Sequence, residues 1–328
     1  ECFTYENALE KLQKGQFIMI REGTAAQNLK ALLPLLNQQY YSRLMFATDD
    51  KHPSDLLHGG HIDYIVKNAI SMGVDPIIAM KVASHNAARY FLMNNKGAIA
   101  PGYLADFVIL DNFRNFEIQR VIKKGKLVFE AGRLLDISRP AVAPESEAKA
   151  RDTFHLPEIS PALLRRDKPL GRLRLIPGEL ITENMGYAAG VDTENDILKI
   201  CVAERHHATG HIGVGYLTGY GLKEGAVATS IAHDSHNIIA VGAGDEDLAL
   251  AMNRVRALGG GIVVARAGEI LAEVPLPIAG LISDQPLSQV NAQLERAKET
   301  ARALGVKPGV DPFMTLSFMS LAVIPSLR

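Results

Sequence analysis

The sequence predicts an α/β fold in two parts, a βα-barrel-like beginning followed by an α+β domain. Three observations predict it. Two short apolar runs near the start, "FIMI" and "RLMFA", each close on charged residues and are separated by a helix-patterned stretch. Strand, helix and strand closing on charge is the rhythm of a βα barrel, whose chemistry sits at the C-terminal strand ends. A Pro-, Ser- and charge-rich stretch at 138–171 then marks a linker or extended wrap, and strand-length apolar runs dominate after it.

The elements follow in order. "TYENALEKLQKG" predicts a helix with Thr4 as N-cap, Ala8, Leu9 and Leu12 on one face, and Gly15 as the stop. Phe17–Ile20 is a continuously apolar strand of the buried parallel kind, ending in Arg21-Glu22-Gly23. "TAAQNLKALLPLL" predicts the next helix, and "RLMFA" the next strand, ending in Thr48-Asp49-Asp50. Two helices follow, "HIDYIVKNAISMG" and "DPIIAMKVASHNAARYF", the second with Asp75 as N-cap and Pro76 at its first position. "LADFVILD" reads as a strand and "QRVIKKGKLVFEAGRLL" as a hairpin turning at "KKGK".

Beyond the linker, "RLRLIPGELITENM" predicts a hairpin about Pro177-Gly178. "DILKICVAERHH", "GAVATSIAHD", "NIIAVGAG", "GIVVARAG" and "EILAEVPLP" read as strands. "DEDLALAMNRVRALGG" is a helix capped by Asp245 and stopped by Gly259, and "PLSQVNAQLERAKETARALG" a helix opened by Pro286 and stopped by Gly305. A closed barrel needs eight strands. Only two are legible before the rhythm ends, so either the fold is not a barrel or this chain begins inside one.

Composition narrows the function. The chain has 328 residues, 47% of them hydrophobic, enough for about two domains. A formal charge of -1 leaves no basic face, which argues against nucleic acid as a partner. No apolar run has the length of a membrane helix, and the start carries no secretory h-region. Two distant cysteines, Cys2 and Cys201, give no disulfide framework and no CxxC zinc site, so a cytoplasmic location is expected.

The first chemical candidate is Asp49, with Asp50 beside it. A buried charge without a partner costs on the order of several kcal/mol, so a carboxylate at a buried strand end pairs, caps or binds metal. Asp49 sits where barrel enzymes keep catalytic groups, and such a carboxylate can accept and return a proton. Asp50 can equally cap the turn before His52-Pro53. His58 and His61 have i, i+3 spacing, but Gly59-Gly60 between them interrupt a regular helix; His52 lies in the loop close to Asp50, where it can contact substrate.

The second candidate is "IAHDSHNI", in which His233, Asp234, Ser235, His236 and Asn237 lie between two apolar runs. Asp, Ser and Asn favour turns. Two histidines flanking a carboxylate exceed what a turn needs, because a carboxylate fixes an imidazole tautomer or raises its basicity. A Ser-His-Asp hydrolase is disfavoured, since no GxSxG elbow occurs. "ERHHATGHIGVG" adds three histidines in a glycine-rich loop. "VGAGDED" is no phosphate loop, because the carboxylates after it repel an anion, and "LGGGIVV" is a helix stop entering a strand.

Together "FIMIREGTAAQNLKALLPLL", "FATDDKHPSDLLHGGHIDYIVKNAISMGVDPIIAMKVASHNAARYF", "KGAIAPGYLADFVILD" and "SIAHDSHNIIAVG" resemble the bacterial-type adenine deaminases of the amidohydrolase superfamily. The resemblance runs over nearly the whole chain. "GAIAPGYLADFVILD" is shared by many amidohydrolases, whereas "TDDKHPSDLL" and "AHDSHNI" are more specific to the deaminases. It implies the C-terminal part of a metal-dependent (β/α)8 barrel at 1–98, strands of a small β-sandwich element at 99–137, the linker or wrap at 138–171, and an α+β domain at 172–328. "FIMIREG" would be strand seven and "RLMFATDD" strand eight, with the other metal ligands expected before Glu1 and the family's usual C-terminus expected beyond Arg328.

The implied reaction is hydrolytic deamination of adenine to hypoxanthine and ammonia by metal-activated water. Asp49 would ligate the metal and carry the proton from water to the leaving amine. Manganese is the first choice of metal, with iron or zinc as alternatives. Arg21, Glu22, Asp50, His52, His233, Asp234 and His236 would contact substrate or support the site, the last three binding purine or a further metal. The expected setting is a cytoplasmic homo-oligomer. Two other readings are an amidohydrolase acting on a cyclic amide or N-acyl substrate, and a non-catalytic binding or assembly module.

Overall fold

A computed structural model describes residues 2–24, 27–135, 141–176 and 181–322. They form two compact units divided at residue 140. In the first unit α1 (Tyr5–Gln13) leads to β1 (Ile18–Arg21), α2 (Leu29–Leu32) and β2 (Leu44–Ala47). The Thr4 hydroxyl accepts from the Asn7 N–H and caps α1, Ala8 and Leu12 are buried, and Gly15 takes a φ of 83° at the stop. β1 and β2 pair in parallel, Ile18 opposite Leu44 through Arg21 opposite Ala47. Parallel pairing sends both C-terminal ends, Arg21-Glu22 and Thr48-Asp49, to the same edge.

The helix expected over "TAAQNLKALLPLL" is shorter in the structure. Ala25 and Ala26 lie outside the described residues, α2 has four residues, and a 3₁₀ turn at Leu33–Leu35 follows. Pro34 lacks the N–H that would continue the α ladder. After β2 come α3 (Pro53–His58), α4 (Ile62–Ser71), α5 (Pro76–Met80) and α6 (Asn86–Tyr90), with one π turn at Lys81–His85 between the last two. The Asp75 carboxylate accepts from the Ile77 and Ile78 N–H groups, as its N-cap position requires. Ile18, Ile20, Leu44 and Phe46 pack with Leu12, Leu32, Ile65, Ala69 and Ile78 in one core.

An antiparallel meander completes this unit: β3 (Phe107–Leu110), β4 (Ile118–Lys123), β5 (Lys126–Glu130) and β6 (Arg133–Leu134). Lys124 and Gly125 both have positive φ at the β4–β5 turn, which suits a two-residue hairpin loop.

The second unit begins with α7 (Pro144–Arg151) and a segment whose Leu156, Ile159 and Leu164 are buried. Its sheet contains β7 (Leu170–Leu175), β8 (Thr182–Ala188), β9 (Leu198–Ala203), β10 (Ile212–Thr218), β11 (Ala226–Thr229), β12 (Ile238–Gly242), β13 (Gly261–Arg266) and β14 (Glu269–Pro275). The spatial order is β14-β13-β11-β12-β9-β10-β7-β8. β7 and β8 pair antiparallel, and the Pro177-Gly178 turn expected between them lies outside the described residues. β10 was expected as a glycine-rich loop. Its glycines instead tolerate a half-buried strand between β9 and β7.

Side-chain alternation gives this sheet two cores. Val227, Ile239, Val241, Ile262 and Val264 face α9 (Leu287–Ala303) and α10 (Met314–Phe318). Ala226, Ala228, Ala240, Val263 and Ala265 face α8 (Asp245–Ala257) together with Leu156 and Leu164. Covering both faces explains why β11 and β12 are apolar throughout rather than alternating. Asp245 is not the α8 cap, because Gly244 occupies that position. The Asp245 carboxylate instead accepts from the buried Lys199 ammonium, whose chain would otherwise carry a charge into the core.

Among the described residues no helix is long and apolar enough to cross a membrane. Cys2 and Cys201 are buried free thiols, and burial pushes the Cys201 thiol up to about 12.

Candidate functional site

The charged edge of β1 and β2 is tied together by two loops. Gly23 lies against the other loop so closely that a Cβ would stand 2.8 Å from the Asp50 carbonyl oxygen and 2.9 Å from that of Thr48. That approach lets the Thr24 N–H donate to the Asp50 carbonyl at 2.6 Å. The Thr24 hydroxyl donates to the Asp55 carboxylate and accepts from the His52 N–H, the latter at 2.9 Å.

Asp49 sits at the centre with a φ of 57°, a left-handed conformation that Asp tolerates better than most side chains. Its Oδ2 accepts from the Arg21 guanidinium across the two strands. Its Oδ1 accepts from the Asp50 N–H at 2.8 Å. Opposite charge and a backbone donor therefore fix both carboxylate oxygens. Arg21 is itself placed by its neighbours, since its N–H donates to Asn28 Oδ1 at 2.7 Å. Glu22 faces the next helix, where its carboxylate accepts from the Leu29 N–H at 2.9 Å. Burial raises the Glu22 carboxyl above its ordinary value, against the lowering pull of that bond and of Lys51.

The three neighbouring histidines take separate places. His52 is largely buried at the N-cap position of α3. His58 ends α3 with Nδ1 2.9 Å from the Ser54 carbonyl, and His61 precedes α4 with Nε2 3.4 Å from the Thr48 hydroxyl. Asp49 offers an anionic oxygen of the class that hard divalent cations take. Among the described residues no group of three His, Cys, Asp or Glu side chains is arranged to hold a metal. The described residues therefore offer a metal a single carboxylate donor here.

The second candidate lies in the other unit, between β11 and β12. His233 Nδ1 stands 2.5 Å from the Asp234 carboxylate, and its ring stacks on Phe318 at 5.1 Å. The His233 N–H donates to the Ser317 carbonyl at 2.8 Å. His236 has a φ of 53°, and its Nδ1, like Asn237 Oδ1, is buried without a hydrogen-bond partner among the described residues. Burial first, then Arg205, His233 and His206, push the His236 imidazole down, Asp234 acting in the opposite sense. His206 Nε2 lies 2.9 Å from the Ser235 carbonyl, so the "ERHH" loop meets this one.

Sequence reading missed what holds this loop. Arg205 is 2% exposed and donates to the His236 carbonyl at 2.5 Å, to Thr153 at 2.7 Å and to Ala279 at 2.9 Å. Its guanidinium lies 4.3 Å over the Phe154 ring. Glu204 organises the adjoining turn. Burial raises its carboxyl, but bonds from the His206 N–H, the Thr209 hydroxyl and the His207 and Thr209 N–H groups outweigh that and hold it at about 2.

Comparison with known proteins bears on both regions. Residues 10–128 match the amidohydrolase family, and residues 179–328 match the adenine deaminase C-terminal domain. An adenine deaminase 2 of Carboxydothermus hydrogenoformans is 43% identical over 338 residues, covering 100% of this chain and 59% of the relative. Adenine deaminases of Desulfatibacillum aliphaticivorans and Kosmotoga olearia are 44% and 42% identical, each across 100% of this chain and 58% of the relative. The chain thus spans somewhat under two thirds of the length of these relatives.

Proposed function

We propose that this chain belongs to the adenine deaminases of the amidohydrolase family and serves hydrolytic deamination of adenine to hypoxanthine and ammonia. In this reading β1 and β2 are the seventh and eighth strands of a (β/α)8 barrel, and the β3–β6 meander belongs to the small β element beside it. The observation that carries the reading is the Asp49 carboxylate at the C-terminal end of a buried parallel strand, held between Arg21 and the Asp50 N–H.

Asp49 would be one oxygen ligand of a divalent metal, with the remaining donors outside the described residues. Manganese is the metal proposed, iron and zinc being compatible with the same oxygen donor. Such a metal, when bound, would supply acidification of a water molecule. Asp49 holds the proton leaving that water and delivers it to the departing amine. Arg21 keeps the carboxylate aimed while it does so, and Glu22, Asp50 and His52 support the loops. His233, Asp234 and His236 are proposed to recognise purine, with the unpartnered His236 Nδ1 and Asn237 Oδ1 as polar contacts. The setting proposed is a cytoplasmic homo-oligomer.

The test is Asp49→Asn in a full-length enzyme carrying this chain, assayed for adenine loss with manganese added. Turnover should fall about 10³-fold, the scale of a lost proton carrier, while the melting temperature stays within a few degrees. Near-normal turnover would sink the assignment. By calorimetry on the same enzyme, His233→Ala and His236→Ala should weaken purine binding, and unchanged binding would remove them from purine recognition.

A further inference from the structure

At the opposite end of β1 and β2 lies a pocket with a volume of about 490 Å³. Phe17 precedes β1, and Tyr41 and Ser42 precede β2; these line it together with Lys81, His85, Arg89 and Tyr90. Four-residue strands rising about 3.3 Å per residue put it roughly 13 Å from the Asp49 edge. It is therefore a separate feature of the same unit.

Its chemistry is one-sided. Lys81 and Arg89 are exposed cations, His85 is a further nitrogen donor, and no carboxylate lines the pocket. Among the described residues, the side chains of Lys81, His85 and Arg89 make no hydrogen bond or ion pair. Lys81 rests only over the Tyr41 ring, at 5.2 Å. The rest of the lining is the rings of Phe17, Tyr41 and Tyr90 with the polar Ser42 and Asn86. Phe17 and Tyr90 pack at 5.1 Å yet stay 40% and 45% exposed, leaving ring surface open at the rim.

The backbone supplies a third, independent observation. Lys81 opens and His85 closes the π turn, and Arg89 lies one turn further along the same helical stretch. A π turn is rare and is found frequently at functional sites. Here it accompanies the convergence of these three nitrogen-bearing side chains on one cavity.

We propose that this pocket binds a nucleotide, its phosphate against Lys81, His85 and Arg89 and its base against the rings of Phe17, Tyr41 and Tyr90. Cations answer the phosphate, and stacking on an aromatic ring answers the base. The Asp49 chemistry plays no part in the proposal.

The probe is guanosine monophosphate, which lacks the adenine amine, titrated calorimetrically into the full-length enzyme carrying this chain. Guanosine and inorganic phosphate serve as separate arms. A Kd of about 10–100 μM is expected for the nucleotide, with guanosine and phosphate each at least about tenfold weaker. Arg89→Glu and Lys81→Glu should weaken the nucleotide at least about tenfold, and Tyr90→Ala should weaken it while leaving phosphate unchanged. Lys81→Gln and Arg89→Gln repeat the test with less charge change, should reversal disturb folding. No binding of the nucleotide overturns the proposal, as does binding indifferent to these substitutions. Phosphate binding as tightly as the nucleotide refutes the base half, and guanosine doing so refutes the phosphate half.

Discussion

The two candidate regions hold their polar groups by opposite means. At the β1–β2 edge a carboxylate is fixed by a neighbouring cation and one backbone N–H, and the loops around it are stitched by Thr24. Between β11 and β12 the loop is gripped from beneath by Arg205, a buried guanidinium whose partners are carbonyls and a ring rather than a carboxylate. The first arrangement keeps a charge available at a surface. The second uses a charge as a structural bolt and leaves imidazole and amide atoms above it without partners among the described residues. Chemistry that moves a proton suits the first, and recognition of a heterocycle's edge suits the second.

The difference predicts unequal costs. Arg205→Ala would empty a fully enclosed site and strand the His236, Thr153 and Ala279 carbonyls. A loss of about 3–5 kcal/mol is expected, read as a fall in the urea midpoint. Arg205→Lys should recover only part of it, because an ammonium cannot reach three divergent acceptors or stack on Phe154 as a planar fork does. Equal stability of the lysine variant and the parent would break the contrast drawn here.

At the other edge the sensitive position is a glycine. Gly23→Ala places a methyl carbon 2.8 Å from the Asp50 carbonyl oxygen. Backbone cannot swing aside as a side chain can, so the two loops must part. A cost of about 1–3 kcal/mol is expected, with turnover in the full-length enzyme falling further than stability alone explains, because Asp49 shifts with its loop. An unchanged urea midpoint would show that the loops separate freely and that Thr24 does not lock them.

Legibility in the sequence follows the same divide. An apolar run closing on Asp49-Asp50 is a one-dimensional signal, since burial and charge change sign within two residues. The β1 and β2 strands and the Asp75 cap were readable for that reason. Arg205 was not, because its partners at 153, 236 and 279 are scattered along the chain and nothing in "ERHH" says which side chain turns inward. β10 hid behind Gly213 and Gly215, which mimic a loop although neighbouring strands supply their hydrogen bonds. Asp245 looked like a cap because the buried Lys199 that claims it lies 46 residues earlier. The local pattern was visible, and the long-range partner that reassigns it was not.

The smallest effects are those of pH, and they separate the regions by sign. The Glu204 carboxyl is held at about 2, below its ordinary value of 4.5. Its folded state therefore binds fewer protons than the unfolded chain, and the stability this contributes is present above 4.5 and lost as pH falls through about 2. Glu22 runs the other way. Burial raises its carboxyl above 4.5, so the folded state holds a proton that the unfolded chain releases. Stability is then greatest below 4.5 and declines as pH rises through the raised value. Glu22→Gln keeps an oxygen to accept from the Leu29 N–H but cannot ionise. At neutral pH it should melt no lower than the parent. Glu204→Gln should instead lower the melting temperature at neutral pH and flatten its dependence below pH 4. If both variants flattened the same limb of the profile, burial would not be what distinguishes the two carboxylates.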